Sequence, residues 1–348
     1  MPPAFAPLEG AWTDRLAAAI ARLAGTRGAV LCFHGLDVDV APSRSSMHVP
    51  LPLFEVTVVM AQTVGTVVPL RDLVTRHVTG RSTAGLLALT ADDAYASLLV
   101  AEPFLKRTGV PFAVFVVSDA LATGRTYWWD RIDDVLPLVQ PDRWRRFEDE
   151  CGLPEQYRRG QPVEEGPVRP LRQWLLARHA GRWPAIFDEP MARLEADVGG
   201  RTAQRSMTEA ELGGFVARTG THLGVHTLSH AVLPFLPDDE LVHEIARCHG
   251  ELRSRFPEVL PYLAVPFGLF DVRTLRLAAE AGMTASLTLA GRTLGRPFAW
   301  DVGIPRFCVV RESTSGVVAL KLSGVAALLN RLRGRKASMY PPLPSPTN

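Results

Sequence analysis

Residues 86–95 read LLALTADDAY, an apolar run of strand length that ends in two adjacent aspartates. A helix-like pattern follows over residues 95–107, so a strand and a helix alternate here. Further apolar runs of this kind are bounded by turn residues, and most precede a helical pattern; they are residues 29–33, 112–117, 222–225, 263–265, 285–289 and 304–310. This alternation predicts βαβ units and a mostly parallel sheet of about seven strands, open or closed into a barrel.

Residues 126–208 interrupt the alternation. They are rich in Trp, Arg, Pro and Glu, and their hydrophobic pattern is weak, so we expect a helical or irregular insertion packed on the barrel. Residues 336–348 are proline-rich, which is typical of a disordered tail. The sequence therefore predicts one domain over residues 1–335 that contains the insertion.

The overall composition excludes several classes of protein. The formal net charge is +2 and the arginines are scattered, so nucleic acid is not expected as a partner. The four cysteines are far apart with no CxxC pair, which favours a reducing compartment. The first residues do not resemble a signal peptide, residues 12–23 have the pattern of an amphipathic helix, and no apolar run has the length of a membrane span. We expect a cytoplasmic protein.

The first candidate site is the pair Asp92 and Asp93, directly after the apolar run. In folds of this class, chemistry gathers where the carboxyl ends of the strands meet their loops. Adjacent side chains there point in different directions, so one carboxylate can bind a metal while the other serves as a base. The alternative is that one aspartate caps the next helix and the other is solvated.

The second candidate is the sequence HTLSH at residues 226–230, which follows another strand-like run. Two histidines four residues apart can share one metal, although such a pair alone is as readily an accident. Zinc peptidases place Glu after the first His of a similar motif, whereas this chain has Thr227, which disfavours peptidase chemistry. Asp93, His226 and His230 together form a two-His, one-carboxylate set suited to Zn²⁺ or another divalent first-row metal.

Three motifs, in order, resemble those of the polysaccharide deacetylase family, also called the NodB-homology family or carbohydrate esterase family 4. Residues 90–95 (TADDAY) are similar to its Thr-Phe-Asp-Asp-Gly-Tyr motif, residues 226–230 to its His-(Ser/Thr)-x-x-His motif, and residues 264–268 (AVPFG) to its Tyr-Pro-x-Gly motif. The resemblance extends from about residue 29 to residue 310, and residues 127–130 (YWWD) are similar to a stretch found in a subset of members. It implies a distorted (β/α)7 barrel and a metal-dependent hydrolase that removes N-acetyl groups from sugars.

The resemblance also implies roles for individual residues. Asp92 matches the catalytic base that activates water, and Asp93, His226 and His230 match the ligands of one divalent metal, with Zn²⁺ expected and Ni²⁺ or Co²⁺ as alternatives. The late Leu-x-x-x-x-His motif that supplies the general acid in many members is missing from this sequence. A circularly permuted subset carries that function near its start, where this chain has His34. His34 is therefore the candidate acid, and the alternative is a histidine with a structural role only.

Four residues are expected to contact the substrate: Tyr95, Trp129, Pro266 and Phe267. Trp129 has two interpretations, because its ring could stack on a sugar or could pack the insertion against the barrel.

The chain also departs from the family pattern. Ala91 and Ala94 replace the usual Phe and Gly of the first motif, and alanine resists the positive φ that glycine permits, so the loop is expected to differ. Val265 replaces the usual Tyr of the third motif, which removes a ring and a hydroxyl from the pocket. The arginine that many members place before the proline of that motif is missing. Arg306 could orient Asp92 in its place, but we expect it to form a surface salt bridge.

The resemblance thus predicts an N-acetylated sugar or a glycan precursor as substrate, lipid-linked or nucleotide-linked. Peripheral association with a membrane remains open. Two alternatives stay beside this interpretation. One is a catalytically weak relative that binds glycans or a partner protein, and the other is a hydrolase of a non-sugar C–N bond.

Overall fold

The structure is a computed structural model, and it describes residues 11–37, 45–158, 169–199, 204–295 and 303–332. Its strands are β1 (Ala29–Phe33), β2 (Leu36–Asp37), β3 (Val49–Pro50), β4 (Thr66–Val67), β5 (Leu86–Ala91), β6 (Ala113–Val116), β7 (His222–Val225), β8 (Val259–Ala264), β9 (Ala285–Thr288) and β10 (Ile304–Cys308). Its helices are α1 (Ala11–Ala24), α2 (Leu51–Val64), α3 (Leu70–Val78), α4 (Glu102–Thr108), α5 (Ser118–Thr123), α6 (Trp128–Val135), α7 (Pro141–Glu150), α8 (Arg169–His179), α9 (Asp188–Asp197), α10 (Glu209–Thr219), α11 (Asp238–Arg255), α12 (Val272–Glu280), α13 (Ser315–Leu322) and α14 (Val325–Leu332). The predicted tail, residues 336–348, lies outside the described residues.

Seven parallel strands close into a barrel. Around the ring they follow the order β1, β10, β9, β8, β7, β6 and β5, and β5 pairs with β1 to complete the circle. The short strand β4 pairs with the first two residues of β5, while β6 pairs with its end. The (β/α)7 barrel expected from the sequence is thus confirmed, and all carboxyl ends of the ring strands meet at one end.

Alternation along the strands separates two cores. On β1 and β5, one set of side chains, including Leu31 and Leu89, packs against the surrounding helices in the main cluster. The other set, including Val30 and Ala88, belongs to a second cluster inside the barrel with Phe115. The inward set on β5 continues through Thr90 to Asp92, so the period of two directs Asp92 towards the barrel interior.

The insertion between β6 and β7 forms helices α6–α9 with a core of their own. Trp144 stacks on Phe147 with ring centroids 5.5 Å apart, and Trp174 stacks on Phe187 at the same separation. These large rings fill a small core from several directions, so no single helix carries a long apolar stripe. This explains why the sequence pattern was weak although the segment is helical.

Several element boundaries differ from the sequence prediction. The two-residue strands β2, β3 and β4 were not predicted, because a period of two cannot be recognised in two residues. The helix expected over residues 95–107 begins as a 3₁₀ helix (Ala96–Ala101) and becomes α4 where Pro103 occupies the first turn. Among the described helices, none combines the length and the apolar character that crossing a membrane requires.

The insertion core offers a test of stability. Trp144 is 1% exposed, so Trp144→Ala should lower the free energy of unfolding by about 3–5 kcal/mol. Trp12 is 72% exposed, and Trp12→Ala serves as the matched control with an expected change of about 0.5 kcal/mol or less. Urea unfolding followed by circular dichroism measures both, and equal effects of the two substitutions would contradict the insertion core.

Candidate active site

The motif residues converge at the carboxyl ends of the barrel strands. Asp92 and Asp93 follow β5, His34 follows β1, and His226 follows β7. They line a cavity of about 310 Å³. Its wall also includes Tyr95, Trp128, Trp129, Arg172, Leu176, His230, Val265 and Phe267. The insertion thus contributes part of the wall through α6 and α8.

Three of these side chains have the spacing of metal ligands. Asp93 Oδ1 lies 3.3 Å from His230 Nε2 and 3.5 Å from His226 Nε2, and the two Nε2 atoms are 3.2 Å apart. A tetrahedral Zn²⁺ with bonds of about 2.0–2.1 Å holds its ligand atoms about 3.3–3.4 Å from one another. The three side chains are buried and their separations of 3.2–3.5 Å lie close to this range, so they fit a divalent metal with little rearrangement.

The hydrogen bonds around these atoms support the same conclusion. His226 Nδ1 donates to the carbonyl of Ala264 at 2.8 Å, so the neutral imidazole directs the lone pair of Nε2 at Asp93. Within the described part of the chain, Asp93 Oδ1 is buried without a hydrogen-bond partner. Burial, opposed by the charge of Asp93, lowers the pKa of His230 to about 3, so this imidazole is neutral at pH 7. Buried lone pairs that face each other are satisfied by a cation.

Backbone strain concentrates in the three motifs. Six non-glycine residues have a positive φ in the described ranges, and five of them belong to these motifs: Asp93, Ala94, Thr227, His230 and Phe267. Each such residue costs about 1–2 kcal/mol. We expected alanine to resist this conformation, yet Ala94 adopts a φ of 50°. Tyr127 Oη donates to the carbonyl of Asp93 at 2.7 Å, and Met207 N donates to that of Ala94 at 2.8 Å, so both carbonyls of the bend are held.

The loop that carries the two histidines is held by Glu244, a residue that the sequence reasoning missed. Ser229 donates to the Glu244 carboxylate through its backbone N at 2.9 Å and its Oγ at 2.6 Å. Arg182, from the insertion, donates to the same carboxylate at 2.9 Å. Inside the loop, His230 N donates to Thr227 Oγ1 at 3.0 Å. Glu244 lies on the inner face of α11, and only its burial, which the sequence does not show, distinguishes it from a solvated helix residue.

Asp92 is held by Arg306 inside the barrel. Two guanidinium nitrogens of Arg306 donate to the two carboxylate oxygens of Asp92, each at 2.7 Å, and the arginine is 0% exposed. The expectation of a surface salt bridge was therefore wrong. Arg306 pairs with Val30 across β10 and β1, and both residues point inward, with the guanidinium 5.4 Å from the ring centroid of Phe115.

Arg306 also sets the charge of Asp92. Burial by itself would raise the pKa of Asp92, but the Arg306 guanidinium and the neighbouring His226 outweigh it and hold the pKa well below its ordinary value. Asp92 is therefore ionised at neutral pH, as a proton acceptor must be.

His34 lies at the cavity wall beside Asp92. The carbonyl of the preceding residue, Phe33, accepts a hydrogen bond from Asp92 N at 3.0 Å, so the two strand ends are tied together. Burial lowers the pKa of His34, although Asp92 and Asp93 oppose this effect. Cys32, His34 and Asp92 form a second cluster of potential ligands, but the Arg306 hydrogen bonds already occupy both oxygens of Asp92.

Two of the predicted substrate contacts are engaged in packing. The ring of Tyr95 lines the cavity, but its hydroxyl donates to Asp130 at 2.6 Å and accepts from Trp129 Nε1 at 2.8 Å. Trp129 stacks on Tyr127, with centroids 4.6 Å apart and an interplanar angle of 7°. One face of the Trp129 ring is thus covered, which favours the packing interpretation for that face.

The other two predicted contacts differ from each other. The ring of Phe267 lines the cavity and lies 4.5 Å from that of His230, edge to face. Pro266 is buried and is not among the lining residues, whereas its neighbour Val265 is.

Asp130 was also missed by the sequence reasoning. It is buried, and it binds His48 Nε2 at 2.8 Å as well as Tyr95.

Comparisons with known proteins support the resemblance that the motifs indicated. A family model described as polysaccharide deacetylase matches residues 200–286, which include β7, the histidine pair, α11, β8 and the third motif. The match confirms the resemblance to polysaccharide deacetylases, and with it the prediction of a hydrolase. The aspartate pair precedes the matched residues, and the circular permutation stays a prediction.

Solved structures share the fold. IcaB from Ammonifex degensii aligns with a TM-score of 0.53 and 19% identity, over 86% of this chain and 98% of that chain. The Streptococcus pyogenes deacetylase PplD, in complex with acetate, aligns with a TM-score of 0.52 and 13% identity, over 86% of this chain and 99% of that chain. A de-N-acetylase from Aggregatibacter actinomycetemcomitans aligns with a TM-score of 0.51 and 14% identity, over 84% of this chain and 98% of that chain. No curated protein sequence matches the chain.

The ligand assignment predicts a selective loss of metal. Asp93→Ala and His226→Ala should each abolish stoichiometric Zn²⁺ binding, because two remaining ligands hold the ion far more weakly. Isothermal titration calorimetry measures the affinity. His243→Ala, at an exposed position on α11, is the matched control and should bind like the wild type. A ligand variant that still binds one Zn²⁺ per chain with unchanged affinity would refute the assignment.

The buried ion pair predicts a pH-dependent stability. Arg306→Met leaves the Asp92 carboxylate buried and unpaired, so it should lower the free energy of unfolding by about 3–5 kcal/mol at pH 7. Adding Asp92→Asn should recover part of this loss. Without Arg306 the pKa of Asp92 rises, so the single variant should approach the wild type as the pH falls and Asp92 takes up a proton. Urea unfolding at pH 7 and pH 5 tests both effects, and a single variant as stable as the wild type at pH 7 would contradict them.

Proposed function

We propose that this protein is a metal-dependent deacetylase that hydrolyses the N-acetyl group of a sugar. The observation that carries the proposal is the placement of an ionised, arginine-held Asp92 directly beside the triad of Asp93, His226 and His230, in one cavity. The family match supports the same reaction class.

The triad would hold the metal, with Zn²⁺ proposed and Ni²⁺ or Co²⁺ as alternatives. A divalent cation bound there supplies Lewis-acid polarisation of the acetyl carbonyl and acidifies water. Asp92 accepts the proton of the attacking water, and Arg306 keeps the carboxylate ionised and fixes its orientation. The two tasks are divided because Arg306 donates to both oxygens of Asp92, whereas Asp93 Oδ1 faces the two histidines.

His34 is the proposed acid that protonates the departing amine. It lines the cavity at the end of β1, and its ring nitrogen lies within 4.8 Å of a carboxylate oxygen of Asp92, so the base and the acid face the same part of the cavity. The lowered pKa of His34 means that its proton must arrive during the reaction, and Asp92 is the nearest group that acquires one. The products are acetate and a free amino sugar.

The proposed substrate is an N-acetylated glycan precursor, lipid-linked or nucleotide-linked, and the proposed compartment is the cytoplasm. All four cysteines are free thiols, which supports a reducing environment. A cavity of about 310 Å³ accommodates one sugar residue with its acetyl group.

Acetate release from a panel of N-acetyl sugars, their lipid-linked and nucleotide-linked forms, and small amides tests the proposal. We expect turnover of at least one sugar substrate, with a fall in kcat of about 10²–10⁴-fold for Asp92→Asn and for His34→Gln. Asp92→Asn should keep the metal, which separates loss of the base from loss of the site.

Other outcomes of this panel decide between the alternatives. Turnover of small amides alone would indicate a hydrolase of a non-sugar C–N bond. Tight sugar binding without metal or turnover would indicate a glycan-binding module. Full activity of Asp92→Asn would refute its assignment as the base.

A further inference from the structure

Exposed apolar side chains gather on one side of the barrel. Eleven large hydrophobic side chains are exposed in the described parts of the chain, and eight of them lie on α1, α2, α13 and α14. Helices α1, α2 and α13 pack against one another, and α14 packs on α13. We call the outer surface of these four helices the apolar helix face. A concentration of this kind marks an interaction surface.

Helix α1 is the centre of this face. Trp12, Leu16, Ile20 and Leu23 fall within about 80° of its circumference at 100° per residue. Trp12 is 72% exposed and Leu23 is 89% exposed. The opposite side of α1, at Ala17 and Ala21, is buried, and Gly316 of α13 lies against Ala17. The helix therefore has one apolar side packed on the protein and a second apolar side that no described residue covers.

The exposed charges of α1 are basic. Arg15 and Arg22 are exposed and lie on one side of the apolar stripe, about 60–80° from Trp12 at 100° per residue. The one acidic residue of α1, Asp14, accepts hydrogen bonds from Thr314 and Ser315, at 3.1 and 2.9 Å. Lys321, in the last turn of α13, adds a further positive charge among the described residues. An amphipathic helix with Trp and Leu on its apolar side and exposed arginines beside that side is complementary to an anionic lipid surface.

We propose that the apolar helix face docks on the surface of a bilayer that contains anionic lipids. Trp12, Leu16 and Leu23 enter the boundary between headgroups and acyl chains, and the basic residues contact the headgroups. This inference goes beyond the proposed deacetylation and does not depend on it.

The position of α1 relates this face to the cavity. The chain runs from α1 directly into β1, whose carboxyl end carries His34, so the first turn of α1 lies at the same end of the barrel as the cavity. The hydrogen bonds of Asp14 to the start of α13, which follows β10, fix that turn there. Docking along α1 would therefore lay the side of the barrel on the membrane, with the rim of its open end at the Trp12 end of the contact.

Co-sedimentation of the full chain with vesicles tests the proposal. The wild type should bind vesicles of phosphatidylglycerol and phosphatidylcholine, bind pure phosphatidylcholine more weakly, and dissociate as NaCl is raised. The triple variant Trp12→Ser, Leu16→Ser, Leu23→Ser should bind the mixed vesicles with an affinity reduced by about tenfold or more. The double variant Ile186→Ser, Val272→Ser removes apolar side chains that are 64% and 54% exposed elsewhere, and it should bind like the wild type.

Three results would overturn the proposal. One is a wild type that does not bind the mixed vesicles, and another is equal binding of the triple and double variants. The third comes from light scattering after size exclusion: a wild-type dimer that becomes a monomer in the triple variant would show that a second copy of the chain covers this face. Urea unfolding of the triple variant confirms that it is folded, because all three substituted positions are exposed.

Discussion

A buried bidentate ion pair between Asp92 and Arg306 organises the interior of the barrel at its open end. Burying two charges costs several kcal/mol for each ion, and this cost is offset only when the geometry and the remaining hydrogen bonds are favourable. The geometry is favourable here, since two bonds of 2.7 Å join the pair and Arg306 also donates to Thr90 Oγ1 at 3.3 Å, whereas Arg306 Nε has no partner among the described residues. The pair fixes Asp92 towards the barrel axis, and Asp93 Oδ1 lies within 3.5 Å of both histidine Nε2 atoms.

The remaining geometry is maintained against backbone strain. The loops that carry Asp93, His226 and His230 contain left-handed residues that a free peptide would avoid. Their carbonyls and amides are held by groups outside the motifs, including Tyr127 on the aspartate loop and Glu244 on the histidine loop. Tyr127 and Arg182 both belong to the insertion, and Arg182 donates to Glu244. The insertion therefore stabilises the site from two directions as well as lining the cavity.

The sequence predicted the class of fold and the residues that meet at the strand ends. Both rest on short-range information: apolar runs of strand length, and polar residues directly after them. The burial of Arg306 was not predicted. Because side chains alternate along a strand, Arg306 lies on the same inward side of β10 as Ile304 and Cys308. Arginine is rarely buried, so a surface salt bridge was expected, and only its partner, 214 residues away in sequence, makes burial favourable.

Contacts between distant segments account for the other differences. His48 lies far from every motif in sequence, yet it binds Asp130 and through it supports Tyr95. The packing of Trp129 was not predictable from local sequence either, because its stacking on Tyr127 depends on how the insertion folds. Ala94 was expected to change its loop, but the hydrogen bonds of the neighbouring carbonyls impose the left-handed conformation on it. Local propensity could not anticipate constraints that arise from tertiary structure.

The central claim is that Asp93, His226 and His230 form a metal centre while Asp92 remains outside it. X-ray absorption spectroscopy of the zinc-loaded protein tests this claim directly, because two cysteines lie near the cavity and sulfur is readily distinguished from nitrogen and oxygen. Our assignment predicts two imidazole nitrogens and oxygen ligands at about 2.0–2.1 Å, with no sulfur. A zinc–sulfur distance of about 2.3 Å would contradict it, and would place the metal at Cys32 and His34 instead.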